Sequence, residues 1–134
     1  MQQRVDAAFG GAIKLLGYDF QRDGGRLALT LHWQALSDIG ADYKFFVHVF
    51  DPRTEQIVAQ VDAMPGGNAY PTSRWVKGEV VSETVDLSIG QTGTYRVATG
   101  WYDPVSADRL AATDAQGKPV AASRLLLGDE LHIP

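Results

Sequence analysis

The chain contains no cysteine among its 134 residues. Disulfides, cysteine-based zinc sites and thiol catalysis are therefore excluded. The absence leaves the compartment open, because an extracytoplasmic domain of this length can fold without disulfides.

The sequence also has no long apolar run and no cluster of basic residues. No stretch reaches the roughly 18 apolar residues of a membrane helix, so we expect no membrane span in this chain. Residues 1–9 contain Asp6 and no long apolar segment, and we expect no signal peptide there. The formal net charge is −4, and without a Lys/Arg run we expect no nucleic-acid partner. The chain is then either cytosolic or a domain of a longer protein.

The composition is that of an ordinary globular protein. Hydrophobic residues make up 45% and charged residues 21%, which argues against disorder. The length suits one domain that spans residues 1–134.

Apolar residues recur with a period of two, which is typical of β-strands. Leu27, Leu29, Leu31 and Trp33 alternate with more polar neighbours, which indicates a strand with one solvated face. The segment 43–50 is apolar on both faces and is predicted to be a central strand. Glu83 interrupts the inner row of its strand, which suggests a bulge or an edge position. The strands predicted in this way are 13–21, 27–34, 43–50, 57–62, 81–87 and 95–102.

Turn residues separate these runs. Asp23-Gly24-Gly25 and Asp114 to Gly117 indicate hairpins. Asp51-Pro52 and Asp103-Pro104 fit type I turns. Short strands about ten residues apart predict an all-β fold: an antiparallel sandwich of about eight strands, immunoglobulin-like or similar to carbohydrate-binding modules. Tyr95, after Gly93-Thr94, is the predicted tyrosine corner at the start of the penultimate strand.

The segment 64–78, MPGGNAYPTSRWVKG, is the least strand-like part of the chain. Aromatic rings stack on sugars and polar side chains bind hydroxyl groups, so the segment is a candidate carbohydrate- or peptide-binding loop. The alternative is structural, since its large aromatic residues could instead close one end of the sandwich. The candidate ligand-binding residues are Asn68, Tyr70, Thr72, Arg74 and Trp75.

Other candidate sites are weak. Calcium needs six to eight oxygen ligands, and antiparallel pairing of 43–50 with 95–102 would place Asp51 and Asp103 at opposite ends of the domain. His32 and His48 could form a zinc pair only from adjacent outer positions, and a third ligand is missing. Phe46, Phe50 and Tyr102 could form a flat aromatic platform, although aromatic residues at this spacing are more often core. We therefore expect no metal site and no cofactor.

Several segments together resemble a known bacterial module. They are Leu15-Leu16-Gly17-Tyr18, Leu29 to Trp33, Phe46 to Asp51, Tyr70 to Trp75 with Gly78-Glu79, Gly93-Thr94-Tyr95, and Gly100 to Pro104. The module is the C-terminal, extracytoplasmic β-sandwich domain of multi-pass membrane proteins similar to glycosyltransferases. The resemblance implies an accessory domain on the extracytoplasmic side of a bacterial membrane, with a glycan or the parent membrane protein as partner. It implies no catalytic residue.

The sequence is compatible with three alternative functions. A non-catalytic carbohydrate-binding module requires Tyr70 and Trp75 to be accessible to solvent. A structural or protein-interaction domain that docks on its parent requires a buried Trp75 and an exposed apolar patch or sheet edge. A small hydrolase is the remote alternative, because no nucleophile-elbow motif occurs. We expect a protein that is not an enzyme, and its oligomeric state is open.

Overall fold

A computed structural model describes all residues from Met1 to Pro134. Two short 3₁₀ helices, Thr72–Arg74 and Ala121–Ser123, are its only helical segments, and neither could cross a membrane. The nine strands are β1 (Gln3–Phe9), β2 (Ile13–Asp23), β3 (Arg26–Ala35), β4 (Lys44–Phe50), β5 (Ile57–Ala63), β6 (Val80–Ser88), β7 (Gly93–Tyr102), β8 (Ala112–Thr113) and β9 (Leu125–Ile133).

The strands form two antiparallel sheets. One sheet has the order β6-β3-β2-β1-β8 and the other the order β5-β4-β7-β9. Alternate side chains of both sheets point inward and form one core cluster of 23 buried residues. The predicted all-β sandwich is confirmed, with nine strands rather than about eight. The immunoglobulin-like arrangement remains a prediction.

β1 was not predicted from the sequence, in which the first predicted strand is 13–21. β1 precedes it and pairs with β2, and the register shifts between Arg4 and Ala7. Asp6 has a φ of 61° at this bulge, so the inward and outward sides of β1 exchange in mid-strand. The bulge removes the regular alternation by which a strand is recognised.

The positions of β4 at the centre of its sheet and of β6 at the edge of the other sheet agree with the sequence pattern. β4 lies between β5 and β7, as expected for a segment that is apolar on both faces. β6 is an edge strand, and it pairs with β3 without a register shift. Glu83 therefore occupies an edge position and not a bulge.

Tyr95 forms the predicted tyrosine corner. Its side chain is buried, and its hydroxyl donates a hydrogen bond to the Gln91 carbonyl at 3.1 Å. The bond ties the start of β7 to the connection that precedes it. Only the two-residue β8 and the terminal β9 follow, so β7 is the penultimate long strand.

A chain of aromatic rings fills the centre of the core. Trp33 packs edge-on against Trp101 with ring centroids 5.0 Å apart. Phe9 contacts Trp33 at 5.7 Å, and Phe45 contacts Trp101 at 5.8 Å. These residues come from β1, β3, β4 and β7, so the rings join the two sheets.

The two Asp-Pro turns are separate structures. β4 and β7 pair Lys44 with Tyr102 and Phe50 with Arg96, which places Asp51 and Asp103 at opposite ends of this pair. Each carboxylate accepts a hydrogen bond from the backbone of its own turn. No group of three or more His, Asp or Glu side chains is placed to hold a metal ion.

Candidate ligand-binding surfaces

Trp75 lies in the sandwich end and not on the surface. Its side chain is 1% exposed, and its ring packs edge-on against Trp101 at 5.8 Å. Its indole N–H donates to the Tyr70 carbonyl at 3.2 Å. The structural alternative for the segment 64–78 therefore describes Trp75 correctly. A ligand cannot stack on this ring, which removes Trp75 from the predicted binding group.

Thr72 is also buried. Its hydroxyl donates to the Ala41 carbonyl at 2.6 Å and accepts from the Tyr43 amide at 3.0 Å. It thus fixes the segment 64–78 to the connection between β3 and β4. With both hydrogen-bonding functions satisfied inside the protein, Thr72 is not available to a ligand, and its predicted role is corrected.

The other three predicted residues remain at the surface. Tyr70 is half-buried, and its hydroxyl donates to Glu79 at 2.6 Å. This hydrogen bond raises the pKa of Tyr70 and lowers that of Glu79. Asn68 is exposed but accepts from its own segment, from the Met64 amide at 2.9 Å. Arg74 is exposed. A ligand-binding role for these three residues remains a prediction.

A second surface lies on the outer face of the four-stranded sheet. Phe46 and Phe50 point outward from β4 but are only 1% and 2% exposed. The Arg109 guanidinium lies 4.6 Å from the centroid of the Phe46 ring, and Arg124 lies 4.2 Å from that of Phe50. Both distances are within the range of cation–π contact. Two of the aromatic residues of the platform that was considered as a possibility, Phe46 and Phe50, are therefore covered by cations.

Hydrogen bonds and a close backbone approach hold these arginine–aromatic pairs in place. Arg109 donates to the Ala122 carbonyl at 2.9 Å, and Arg124 donates to Glu55 at 2.9 Å. Gly100 lies opposite Phe46 on β7. A Cβ atom at Gly100 would lie 2.5 Å from the Phe46 ring, so only glycine leaves room for it.

The polar groups between the arginines keep defined protonation states. His48 packs on Phe46 with ring centroids 4.5 Å apart. Burial lowers the pKa of His48, although Asp62 opposes the change, so the imidazole is neutral at pH 7. Burial and then Asp62 raise the pKa of Tyr102, whose hydroxyl stays protonated. We name this surface the arginine–aromatic face; its members are Phe46, His48, Phe50, Asp62, Tyr102, Arg109 and Arg124.

His32 and His48 lie on opposite sides of the molecule. His32 points outward from β3 in the five-stranded sheet, and His48 points outward from β4 in the other. The two packed sheets separate them, so they are not the adjacent outer positions that a zinc pair requires. His32 and His48 therefore do not form the zinc pair that was considered as a weak alternative.

Arg109 and Arg124 could hardly be predicted as site residues from the sequence. Each is an isolated arginine in or next to the long connection between β7 and β9. The only available signal was the set of outward-facing aromatic residues on β4, which require a cover of some kind. Which residues provide that cover depends on how the connection folds back over the sheet.

The fold defines this chain as a two-sheet antiparallel β-sandwich whose outer faces carry polar and cationic groups. No family model and no curated protein sequence matches the chain. Among solved structures, it is similar to the C-terminal domain of wzt, with a TM-score of 0.58 and 11% identity over 95% of this chain and 81% of that one. A Bordetella pertussis protein described as ApaA has a TM-score of 0.36 and 12% identity over 98% and 97% of the two chains. At this identity the first likeness shows the fold alone, and the second carries no argument.

Proposed function

We propose that this domain is a non-catalytic accessory module that binds carbohydrate within a larger bacterial envelope protein. Its parent would resemble a membrane glycosyltransferase, with the module on the extracytoplasmic side. The likeness to the C-terminal domain of wzt, which is itself part of a longer protein, supports an accessory role. The ligand surface would be the arginine–aromatic face.

The observation that carries the proposal is the fixed array of planar polar groups on this face. Guanidinium and carboxylate groups form paired hydrogen bonds, which suit the neighbouring hydroxyl groups of a sugar ring. Arg109 and Arg124 are held by stacking on Phe46 and Phe50. Ligand binding would therefore immobilise few rotatable side-chain bonds that are not already fixed. Low ordering cost favours binding.

The protonation states on the face also suit uncharged hydroxyl groups. A neutral His48 can donate one hydrogen bond and accept another, and a protonated Tyr102 can donate. Asp62, which pairs with Phe46 across β4 and β5, adds an acceptor. Donors and acceptors are therefore both present on this face.

Glycan binding can be tested on an array, followed by calorimetric titration of the best ligand. We expect Arg109→Ala and Asp62→Asn to weaken binding at least about 10-fold, because each removes charged hydrogen bonds worth roughly 1.5–3 kcal/mol. Arg26→Ala is the matched control, since it removes an exposed arginine from the other sheet. Thermal unfolding of each variant verifies that the fold is retained.

Two results would contradict this assignment. If Asn68→Ala and Arg74→Ala abolish binding while the face variants bind normally, the ligand occupies the segment 64–78. If the wild-type protein binds no glycan on the array, the carbohydrate proposal itself fails.

A second candidate function is docking on a parent protein. Docking requires a buried Trp75 and an exposed apolar patch, and Trp75 is buried. Three exposed aliphatic residues lie near the end of β3, in segments that hydrogen bonds join. Leu36, Val76 and Val80 are 37%, 59% and 52% exposed. Size-exclusion chromatography of the wild type and of Val76→Ser/Val80→Ser tests this function. Loss of self-association or of parent binding in the double variant would favour docking.

A further inference from the structure

Three side chains on the outer face of the five-stranded sheet form a hydrogen-bonded Ser-His-Asp chain. His32 Nδ1 lies 2.8 Å from Ser82 Oγ, and His32 Nε2 lies 2.7 Å from Asp19 Oδ2. The residues come from the adjacent strands β6, β3 and β2. This is the order of nucleophile, base and orienting carboxylate in serine-dependent acyl transfer.

We propose that Ser82 is an activated nucleophile that accepts acyl groups from small acyl esters. The site lies on the sheet opposite the arginine–aromatic face and is independent of carbohydrate binding. It is a covalent modification site that goes beyond the proposed function.

Strand pairing explains why these side chains meet. Ala35 donates to the Glu79 carbonyl and Ile89 donates to that of Gly25 at the two ends of the β3–β6 pair. Because hydrogen-bonded and non-hydrogen-bonded pairs alternate, His32 and Ser82, which are opposite each other, form a non-hydrogen-bonded pair. Side chains approach most closely in such pairs.

The same alternation leaves the Ser82 N–H free. In a non-hydrogen-bonded pair, the N–H points away from the partner strand, and β6 has no neighbour on its other side. The Ser82 amide takes part in no turn or loop hydrogen bond. It can therefore donate to the oxyanion that forms when the Ser82 hydroxyl attacks a carbonyl carbon.

Asp19 fixes the imidazole in the required orientation. It accepts from the Gln2 amide at 2.6 Å through its other oxygen. The hydrogen bond with His32 is the main reason that the pKa of Asp19 is lowered, so the carboxylate is ionised at neutral pH. In this tautomer the His32 Nε2–H donates to Asp19, and the unprotonated Nδ1 can accept the proton of the Ser82 hydroxyl.

The reaction needs no reagent other than the ester. The Ser82 Oγ–H proton moves to His32 Nδ1 as Oγ bonds to the carbonyl carbon, and the oxyanion is held by the Ser82 N–H. Collapse of this adduct breaks the bond from carbon to the leaving oxygen, which receives the proton from His32. The products are O-acyl-Ser82 and the free alcohol.

The surroundings offer no pocket that would bind a long acyl chain, so we expect small, reactive esters as acyl donors. Ser82 is exposed, and neither Ser82 nor His32 lines any of the three main cavities. The neighbouring Thr30 and Thr84 hydroxyls bond to each other at 2.9 Å and leave no recess for a long chain. An acetyl ester of a good leaving group is the simplest donor of this class.

The test uses p-nitrophenyl acetate as the probe, with intact-mass analysis and peptide mapping. We expect one acetyl group per chain at Ser82, no such product in Ser82→Ala, and at least about 100-fold slower acetylation of Ser82 in His32→Ala, since base catalysis contributes 10²–10⁴-fold. Thr84→Ala, which removes a hydroxyl from the same strand face, is the matched control and should react at the wild-type rate.

Asp19→Asn provides a second variant in case His32→Ala fails to fold. It should slow Ser82 acetylation while the exposed Ser106 reacts at its wild-type rate. The proposal is overturned if Ser82 reacts no faster than Ser106 in the wild type. It is also overturned if a folded His32→Ala or Asp19→Asn variant acetylates Ser82 at the wild-type rate.

Discussion

His48 shows how one residue on a sheet surface couples local packing to protonation. It alternates with Val47 and Val49, so the sequence predicts its outward direction correctly. The period of two also places Phe46 on the same face as His48. The sequence could not predict the two arginines beside them, because Arg109 and Arg124 are far away along the chain. Burial is the main reason that the pKa of His48 is lowered, and the charges of Arg109 and Arg124 add to the effect.

The pKa of His48 predicts a pH dependence of stability. The unfolded chain has a histidine pKa near 6.5, and the folded value is lower. Below about pH 6.5 the unfolded state therefore binds more protons, so the free energy of unfolding falls as the pH decreases from 7 to 5. Urea denaturation of the wild type and His48→Gln at pH 7.5, 6 and 5 measures this effect.

We expect the wild-type stability to decrease more steeply than that of His48→Gln over this range. The carboxylates whose pKa values are lowered, including Asp19 and Asp51, lose their stabilising contribution at lower pH, below about 4. They do not interfere above pH 5. If the free energies of unfolding of the two proteins decrease in parallel over this pH range, His48 is not desolvated in solution.

At the scale of an element, the connection between β5 and β6 shows what a sequence pattern can and cannot decide. Its prolines and glycines predict a segment outside the sheets, and this is confirmed. Whether Trp75 faces solvent or core depends on Trp101, which belongs to a strand 26 residues later in the chain. The local sequence pattern cannot predict this contact. It was therefore compatible both with an exposed, ligand-binding Trp75 and with a buried, structural one.

Replacement of Trp75 should destabilise the whole domain. Trp75→Phe keeps an aromatic ring but removes the indole N–H bond to Tyr70 and leaves unfilled volume in the core. Large-to-small core changes and lost hydrogen bonds together cost about 1–3 kcal/mol. The measurement is the free energy of unfolding in urea.

The neighbouring Val76→Ala is the matched control. Val76 is 59% exposed, and surface changes of this kind usually stay within about 0.5 kcal/mol. If Trp75→Phe costs no more than Val76→Ala, the side chain does not close the sandwich end in solution.

At the scale of the whole molecule, strand existence was more predictable than strand order. Alternation identifies β3, β5, β6 and β7 from local sequence, and a run that is apolar on both faces identifies β4. The β3–β6 pairing joins residues such as Leu31 and Glu83, and only the core they share brings such distant segments together. The sequence therefore could not show that His32 and His48 belong to different sheets.

The separation of the two faces predicts additive effects on stability. Packed sheets are about 10 Å apart, and His32 and His48 point away from each other on their outer sides, with no shared partner. Mutations at sites this far apart add within about 0.5 kcal/mol. The free energies of unfolding of His32→Ala, His48→Ala and the double variant should therefore sum within that margin. A coupling above about 1 kcal/mol would mean that the core transmits strain between the sheets, and that binding on one face cannot be treated as independent of acylation on the other.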